Sequence, residues 1–248
     1  MESTQPPSTA VIACRVLEEE VRHFSAGLSH LVAFEFLEMG LHDRPDKLRS
    51  LLKAAIARIE AEGGIDAIAL VYGVCGMATV GLAAQRCRLV LPRAHDCITL
   101  LLGSKERYAE LMRNEPGRYW YSPGWNREKR VPSPEREAAL RAVYAEKFGA
   151  EEAEALLEME RASLAPHARA SYVDLGLQGN EADRRYAESC ASWLGWPCEA
   201  YRGDATLLRD LLAGKWDANR FLVAQPGHAI RFIADETIVG VVPQSPAP

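Results

Sequence analysis

Short apolar runs rich in β-branched residues, each closed by a turn and followed by a segment of helical spacing, recur along this chain. The runs show no polar alternation, so each must be buried on both faces, which a parallel sheet covered by helices provides. Thr9 to Cys14 is one such run, and Val16 to Leu28 follows it with helical spacing. Leu31 to Leu37 is the next. A helix over Asp46 to Glu62 then carries Leu48, Leu51, Leu52, Ala55, Ile56 and Ile59, opened by Asp43 or Pro45 and closed by Gly63 and Gly64. Ile65 to Tyr72 is the strongest strand signal; it ends at Gly73-Val-Cys75-Gly76, before a helix-compatible stretch from Ala78 to Gln85. Cys87 to Pro92 is a further strand, ending at Arg93-Ala-His95-Asp96-Cys97. The expected fold class is α/β, with parallel sheets flanked by helices.

A helical stretch from Ser104 to Asn114 leads to an aromatic segment, Tyr119 to Trp125, and to a charged helical region from Pro134 to Ala165. Ala170 to Leu175 resumes the strand pattern. Glu181 to Leu194 is helical, Pro197 to Tyr201 a short strand, Ala205 to Leu212 helical and Phe221 to Ala224 a strand. These patterns give two Rossmann-like βαβ halves, with no sequence repeat between them. The expected division is a disordered start over 1–8, an N-terminal half over 9–126, a helical bridge over 127–168 and a C-terminal half over 169–248. Gln244 to Pro248 reads as a loose tail.

Lys and Arg number 29 against 34 Asp and Glu, and they are scattered, so no basic stripe would track nucleic acid. No stretch approaches the ~18 apolar residues of a membrane span, and the start lacks a basic segment with an apolar run behind it. A cytoplasmic protein is expected, and its six cysteines are then core residues, metal ligands or redox groups rather than a disulfide framework.

Ligands of open parallel sheets bind beyond the carboxyl ends of the strands. Cys14 closes the first strand, Cys75 follows the strand ending at Tyr72, and Cys97 follows the one ending at Pro92. Right-handed crossovers bring those loops to one edge, so three thiols with the imidazoles of His95 and His42 form a soft ligand set. Zn²⁺ is the first choice of metal; if only thiolates bind, a [4Fe–4S] cluster is the second. Cys87, Cys190 and Cys198 read as core residues.

His95 is a candidate fourth ligand or base. Asp96 would orient it, or pair with Arg93 on the rim. His42 reads as a turn imidazole or a substrate contact, and Glu18 as a base, a supporting partner or a helix-start charge. Arg93, Ser104, Lys105 and Tyr108 are candidates for holding an anionic substrate, against the alternative of a solvated helix start for the last three. The aromatic segment is a lid or a packed loop. The glycines around Cys75 match neither GxGxxG nor a Walker loop, so nucleotide binding is not supported.

The block Pro92-Arg-Ala-His-Asp-Cys-Ile-Thr-Leu-Leu-Leu-Gly-Ser-Lys-Glu-Arg-Tyr108 resembles a signature of a bacterial and archaeal family defined only as a domain of unknown function. The likeness extends to Cys14 with Leu17 and Glu18, Gly40-Leu-His42 with Pro45, Tyr72-Gly-Val-Cys75, Glu115-Pro-Gly117, Tyr121 to Trp125, Leu211 to Asp217 and Pro226-Gly227. The resemblance implies that the family's cysteine motifs map onto Cys14, Cys75 and Cys97. It also implies an association with corrinoid-dependent methyl-transfer systems. His95-x-Cys97 with a distant Cys190 or Cys198 is similar to the zinc motif of thiol-alkylating methyltransferases, although those enzymes use a longer barrel fold.

The expected function is a metal–thiolate enzyme of one-carbon metabolism, transferring methyl or alkyl groups to or from a small anionic substrate, with a corrinoid protein as partner. The alternatives are a [4Fe–4S] lyase or redox protein, and a non-catalytic module that binds or delivers a metal or corrinoid. The oligomeric state is not legible.

Overall fold

A computed structural model describes residues 6–177 and 179–244. The chain divides into two compact units, one formed by residues 1–107 with 204–248 and the other by 108–203.

The first unit opens with β1 (Thr9–Cys14), α1 (Glu18–Ser25), β2 (Leu31–Leu37), α2 (Pro45–Glu62), β3 (Ala67–Val71), β4 (Arg88–Pro92) and α3 (Cys97–Leu102). Helix α4 (Lys105–Asn114) carries the chain into the second unit, built from β5 (Arg118–Tyr121), α5 (Pro123–Arg127), α6 (Pro134–Phe148), α7 (Ala150–Ser163), β6 (Arg169–Asp174), α8 (Asn180–Leu194) and β7 (Cys198–Arg202). The chain then returns to the first unit for α9 (Thr206–Leu212), β8 (Phe221–Ala224), β9 (His228–Phe232) and β10 (Val239–Pro243).

The first unit holds a five-stranded sheet ordered β2-β1-β3-β4-β8, parallel except for β8. Its central strands β1 and β3 are buried along their whole length, as their unbroken apolar composition requires. Helices cover them: α2 packs on β1, and α9 packs on β3, β4 and α1. Edge strand β2 is half-buried, leaving Val32 and Phe34 exposed. The order β2-β1-β3-β4 reverses the direction of winding between β1 and β3, the place at which ligands of open parallel sheets bind.

The structure departs from the sequence reading at several places. Phe221 to Ala224 joins the first sheet as an antiparallel edge on β4, rather than a C-terminal half over 169–248. No helix forms over 78–85. Cys75, Gly76, Met77 and Gly81 all take positive φ there, which an α-helix cannot accommodate. The segment instead pairs its backbone with β9, through Gly81 N to Ile230 O at 2.7 Å and Ile230 N to Leu82 O at 2.8 Å. The Glu60 carboxylate then accepts from the N–H groups of Gln85, Arg86 and Cys87. Of the expected disordered start, residues 1–5 lie outside the described residues, whereas Ser8 is tied to Asp66 and Gly64. Of the expected tail, Gln244 donates to Gly227 O and 245–248 lie outside the described residues.

The second unit carries a parallel sheet ordered β5-β6-β7. Its core gathers Tyr121, Val131, Ala170, Tyr172, Ala187 and Cys190, with Tyr119, Trp125 and Cys198 packed against it. The aromatic segment is therefore strand and short helix rather than a lid. At the amino edge of the sheet the Arg118 side chain, 1% exposed, is bound by Glu115 and Glu199 and donates to Ser171 Oγ at 2.8 Å and Tyr201 Oη at 2.7 Å. A guanidinium cannot shed its charge on burial, so these carboxylates are what make its position tolerable. The double variant Glu115→Ala with Glu199→Ala leaves that charge uncompensated. Urea unfolding is expected to show a loss of about 3–5 kcal/mol. Arg185→Ala, which removes an exposed pair with Glu181, is expected to stay within about 0.5 kcal/mol.

Candidate functional site

Cys14 is the last residue of β1, and the β1–β3 register pairs Ala13 with Val71, so Cys14 and Tyr72 leave the sheet abreast. Beyond the strands, Val74 N donates to Ala94 O at 2.9 Å and Cys75 N to His95 O at 3.1 Å, prolonging the β3–β4 pairing into both loops. Gly73 is what allows this approach. A Cβ there would stand 2.5 Å from Asp96 N and 2.7 Å from His95 C. Thr79 Oγ1 donates to Gly73 O and secures the turn from within. Cys75 itself sits at φ 46°, strained backbone for a residue other than glycine and of the kind that gathers at functional sites.

These loops bring the three predicted cysteines together. Cys97 lies beside Cys14 and Cys75, and those neighbouring thiols, with burial, hold its pKa well above the ordinary thiol value. Cys14, Cys75 and Cys97 are buried, keeping 7%, 8% and 8% exposure against 2% for Cys87. Among the described residues no group of three or more His, Cys, Asp or Glu is placed so that it could hold a metal ion. Thiols become metal ligands on losing their protons.

The other predicted residues are placed as follows. Asp96 caps α3: its carboxylate accepts from Thr99 N at 3.1 Å and Thr99 Oγ1 at 3.3 Å, which sets Cys97 at the first position of the helix. His95 is exposed in the loop leading to Cys97. The His42 backbone carbonyl lies against Gly76, while its imidazole pairs with Asp43 at 3.3 Å. Glu18, first in α1, pairs with Arg22 at 2.8 Å.

Arg93 is committed to backbone carbonyls, donating to Ala218 O at 2.9 Å and Thr237 O at 2.7 Å and also to Val239 O. Burial lowers its pKa from the ordinary guanidinium value. Lys105 donates to Glu236 O. These two cations clasp the loop between β9 and β10. Ser104 Oγ accepts from Arg107 N at 3.0 Å and so caps α4, and Tyr108 falls in the second unit. Of the cysteines read as core, Cys87 is pushed up to about 12 by burial and by Glu60. Cys190 is pushed up to about 11, chiefly by burial.

Tyr72 escaped the sequence reading. It is 2% exposed, and its hydroxyl has no hydrogen-bond partner among the described residues, a condition that costs about 1–3 kcal/mol. Its pKa is raised well above the ordinary phenol value by burial first, then by the neighbouring Cys14, Cys97 and Cys75 and by Glu35. A tyrosine ending an otherwise aliphatic strand, one residue before the glycine of the close approach, was the available signal.

The second unit has a cavity of about 500 Å³ lined by residues including Arg136, Glu160, Arg161, Trp193 and Trp196. Its arginines are already paired, Arg136 with Glu160 and Arg161 with Glu137.

Gly73→Ala drives a Cβ into backbone that cannot yield without breaking the Val74 and Cys75 hydrogen bonds. Expected is a destabilisation of about 1–3 kcal/mol with rapid labelling of the Cys75 and Cys97 thiols by an aromatic disulfide reagent. Gly64→Ala, whose Cβ meets nothing within 4 Å but whose φ of 74° strains an alanine, is expected to cost about 1–2 kcal/mol without the rapid labelling of Gly73→Ala.

Among the described residues no helix is long and apolar enough to cross a membrane. No curated protein and no solved structure matches the chain. The family described as Protein of unknown function (DUF1638) matches residues 36–212, a span that takes in Cys75 and Cys97 and begins after Cys14. That match covers more than half of the chain, which therefore belongs to this family.

Proposed function

We propose that this protein is a metal–thiolate enzyme in which Cys14, Cys75 and Cys97 hold Zn²⁺ at the carboxyl edge of the first sheet, acting in methyl or alkyl transfer. The observation that carries the reading is the meeting of three thiols, from three separate strand ends, at Cys97 beside the reversal of winding. Buried cysteines serving only as small hydrophobes gain nothing from being gathered at a rim, whereas three sulfur donors are a thiophilic set for zinc. When bound, zinc supplies Lewis acidity that favours the ionised form of an incoming thiol or water.

The chain's own groups divide the remaining work. The three thiols give up their protons on loading. Asp96, by capping α3, holds Cys97 in place. His95, exposed next to that cap, takes the role of fourth ligand or of base for the incoming nucleophile. The transfer is a displacement: a bond forms from the nucleophilic sulfur to the methyl carbon while the bond to the donor breaks, its electron pair leaving with the donor. The substrate is a small molecule, and a corrinoid protein in the cytoplasm is the partner that fits this chemistry. An anionic substrate would meet Arg93 or Lys105 only after the loop holding Thr237 and Val239 released their side chains.

One specific feature favours a second reading. An all-sulfur set of three is also what holds a [4Fe–4S] cluster with one iron left open, as in a lyase or redox protein. A module that carries a metal or corrinoid without turnover is the non-catalytic form of the same site.

Metal analysis and a visible spectrum of anaerobically purified protein distinguish these readings. About one zinc per chain is expected, lost in Cys14→Ala, Cys75→Ala and Cys97→Ala and kept in Cys87→Ala. Iron with sulfide and a broad visible band would move the assignment to the cluster. Wild-type protein without metal would overturn the proposal.

A further inference from the structure

Tyr72 poses a problem that the metal-free arrangement leaves unsolved. Its ring fills space that a phenylalanine would fill equally well, yet it places a hydroxyl where neither water nor any protein acceptor reaches it. Buried hydroxyls find partners as a rule, and an orphan invites the question of what arrives. The register places Tyr72 beside Cys14, and Gly73 and Val74 alone separate it from Cys75. Neutral thiols are weak acceptors. Converted to thiolates, the same sulfurs become charged acceptors in a site that excludes water. Three thiolates around one divalent cation also retain a net negative charge, which a nearby hydroxyl dipole offsets.

We propose that Tyr72 is a positioning residue of the thiolate site, its hydroxyl donating a hydrogen bond to a ligand sulfur once the site is loaded and so favouring the loaded over the metal-free state. This inference rests on the reading of Cys14, Cys75 and Cys97 as ligands. The hydroxyl is thus a cost in the metal-free protein and a gain in the loaded one. A purely structural tyrosine would not show that opposition.

The test compares wild type with Tyr72→Phe as full-length protein. Zn²⁺ affinity is measured by chelator competition, unfolding temperature is measured for the stripped forms, and Co²⁺ serves as the spectroscopic probe. Tyr72→Phe is expected to weaken Zn²⁺ binding by about 10–100-fold. It is also expected to leave the stripped protein as stable as wild type or more so, and to shift the thiolate-to-cobalt charge-transfer band. Unchanged affinity and an unshifted band, with wild type binding zinc, overturn the role of Tyr72 and leave the metal reading standing. Weaker binding accompanied by a lower unfolding temperature of the stripped protein makes Tyr72 structural and likewise overturns it. Wild type that binds neither ion overturns the parent reading, and this one with it.

Discussion

A single close backbone approach organises the candidate site. Where Gly73 lies against His95 and Asp96, no side chain fits, and the two loops continue the β3–β4 pairing beyond the last strand residues. Cys75 and Cys97 are brought into range of one another by this contact, and Cys14 joins them because β1 is the neighbour of β3. The positive φ at Cys75, Gly76 and Met77 follows from the same geometry, since the chain must turn sharply away after donating Cys75 N to His95 O. That turn also removes the helix that would ordinarily join β3 to β4. The connection is held instead by β9 and by the Glu60 carboxylate.

The electrostatics at this edge are unusual for a protein interior. Cys97 is buried beside Cys14 and Cys75, and the nearby Tyr72 hydroxyl has no hydrogen-bond partner among the described residues. The two neighbouring thiols, with burial, raise the pKa of Cys97, and burial with the thiols raises that of Tyr72. In the proposed loaded state a thiophilic cation would supply the counter-charge for ionised sulfurs, which would also be acceptors for the orphan hydroxyl. The cations expected to receive an anion, Arg93 and Lys105, lie in the same unit but are committed to carbonyls of the C-terminal segment, so they stabilise that segment's closure.

Much of this was legible from local pattern. Unalternating runs marked β1 and β3 as doubly covered strands, and the position of each cysteine after a strand, with right-handed crossovers, placed the three at one edge. What escaped reading depended on partners distant in sequence. Phe221 to Ala224 looks like any buried strand, and only its pairing with β4 reveals that it runs antiparallel in the first sheet. Ala78 to Gln85 has helical composition, overridden by left-handed residues just before it and at Gly81 within it, and by pairing with β9. Arg93 and Lys105 resemble anion-binding residues until the carbonyls 100 residues and more downstream are in place. Asp96 could have been identified from Thr99 three residues on, a helix-cap spacing that competes with a catalytic reading.

The central claim is that three sulfurs from Cys14, Cys75 and Cys97 share one metal ion. X-ray absorption at the metal edge of anaerobically purified protein counts those sulfurs directly. The account predicts a sulfur shell at about 2.3 Å fitted by three ligands. A shell of nitrogen and oxygen alone would contradict it.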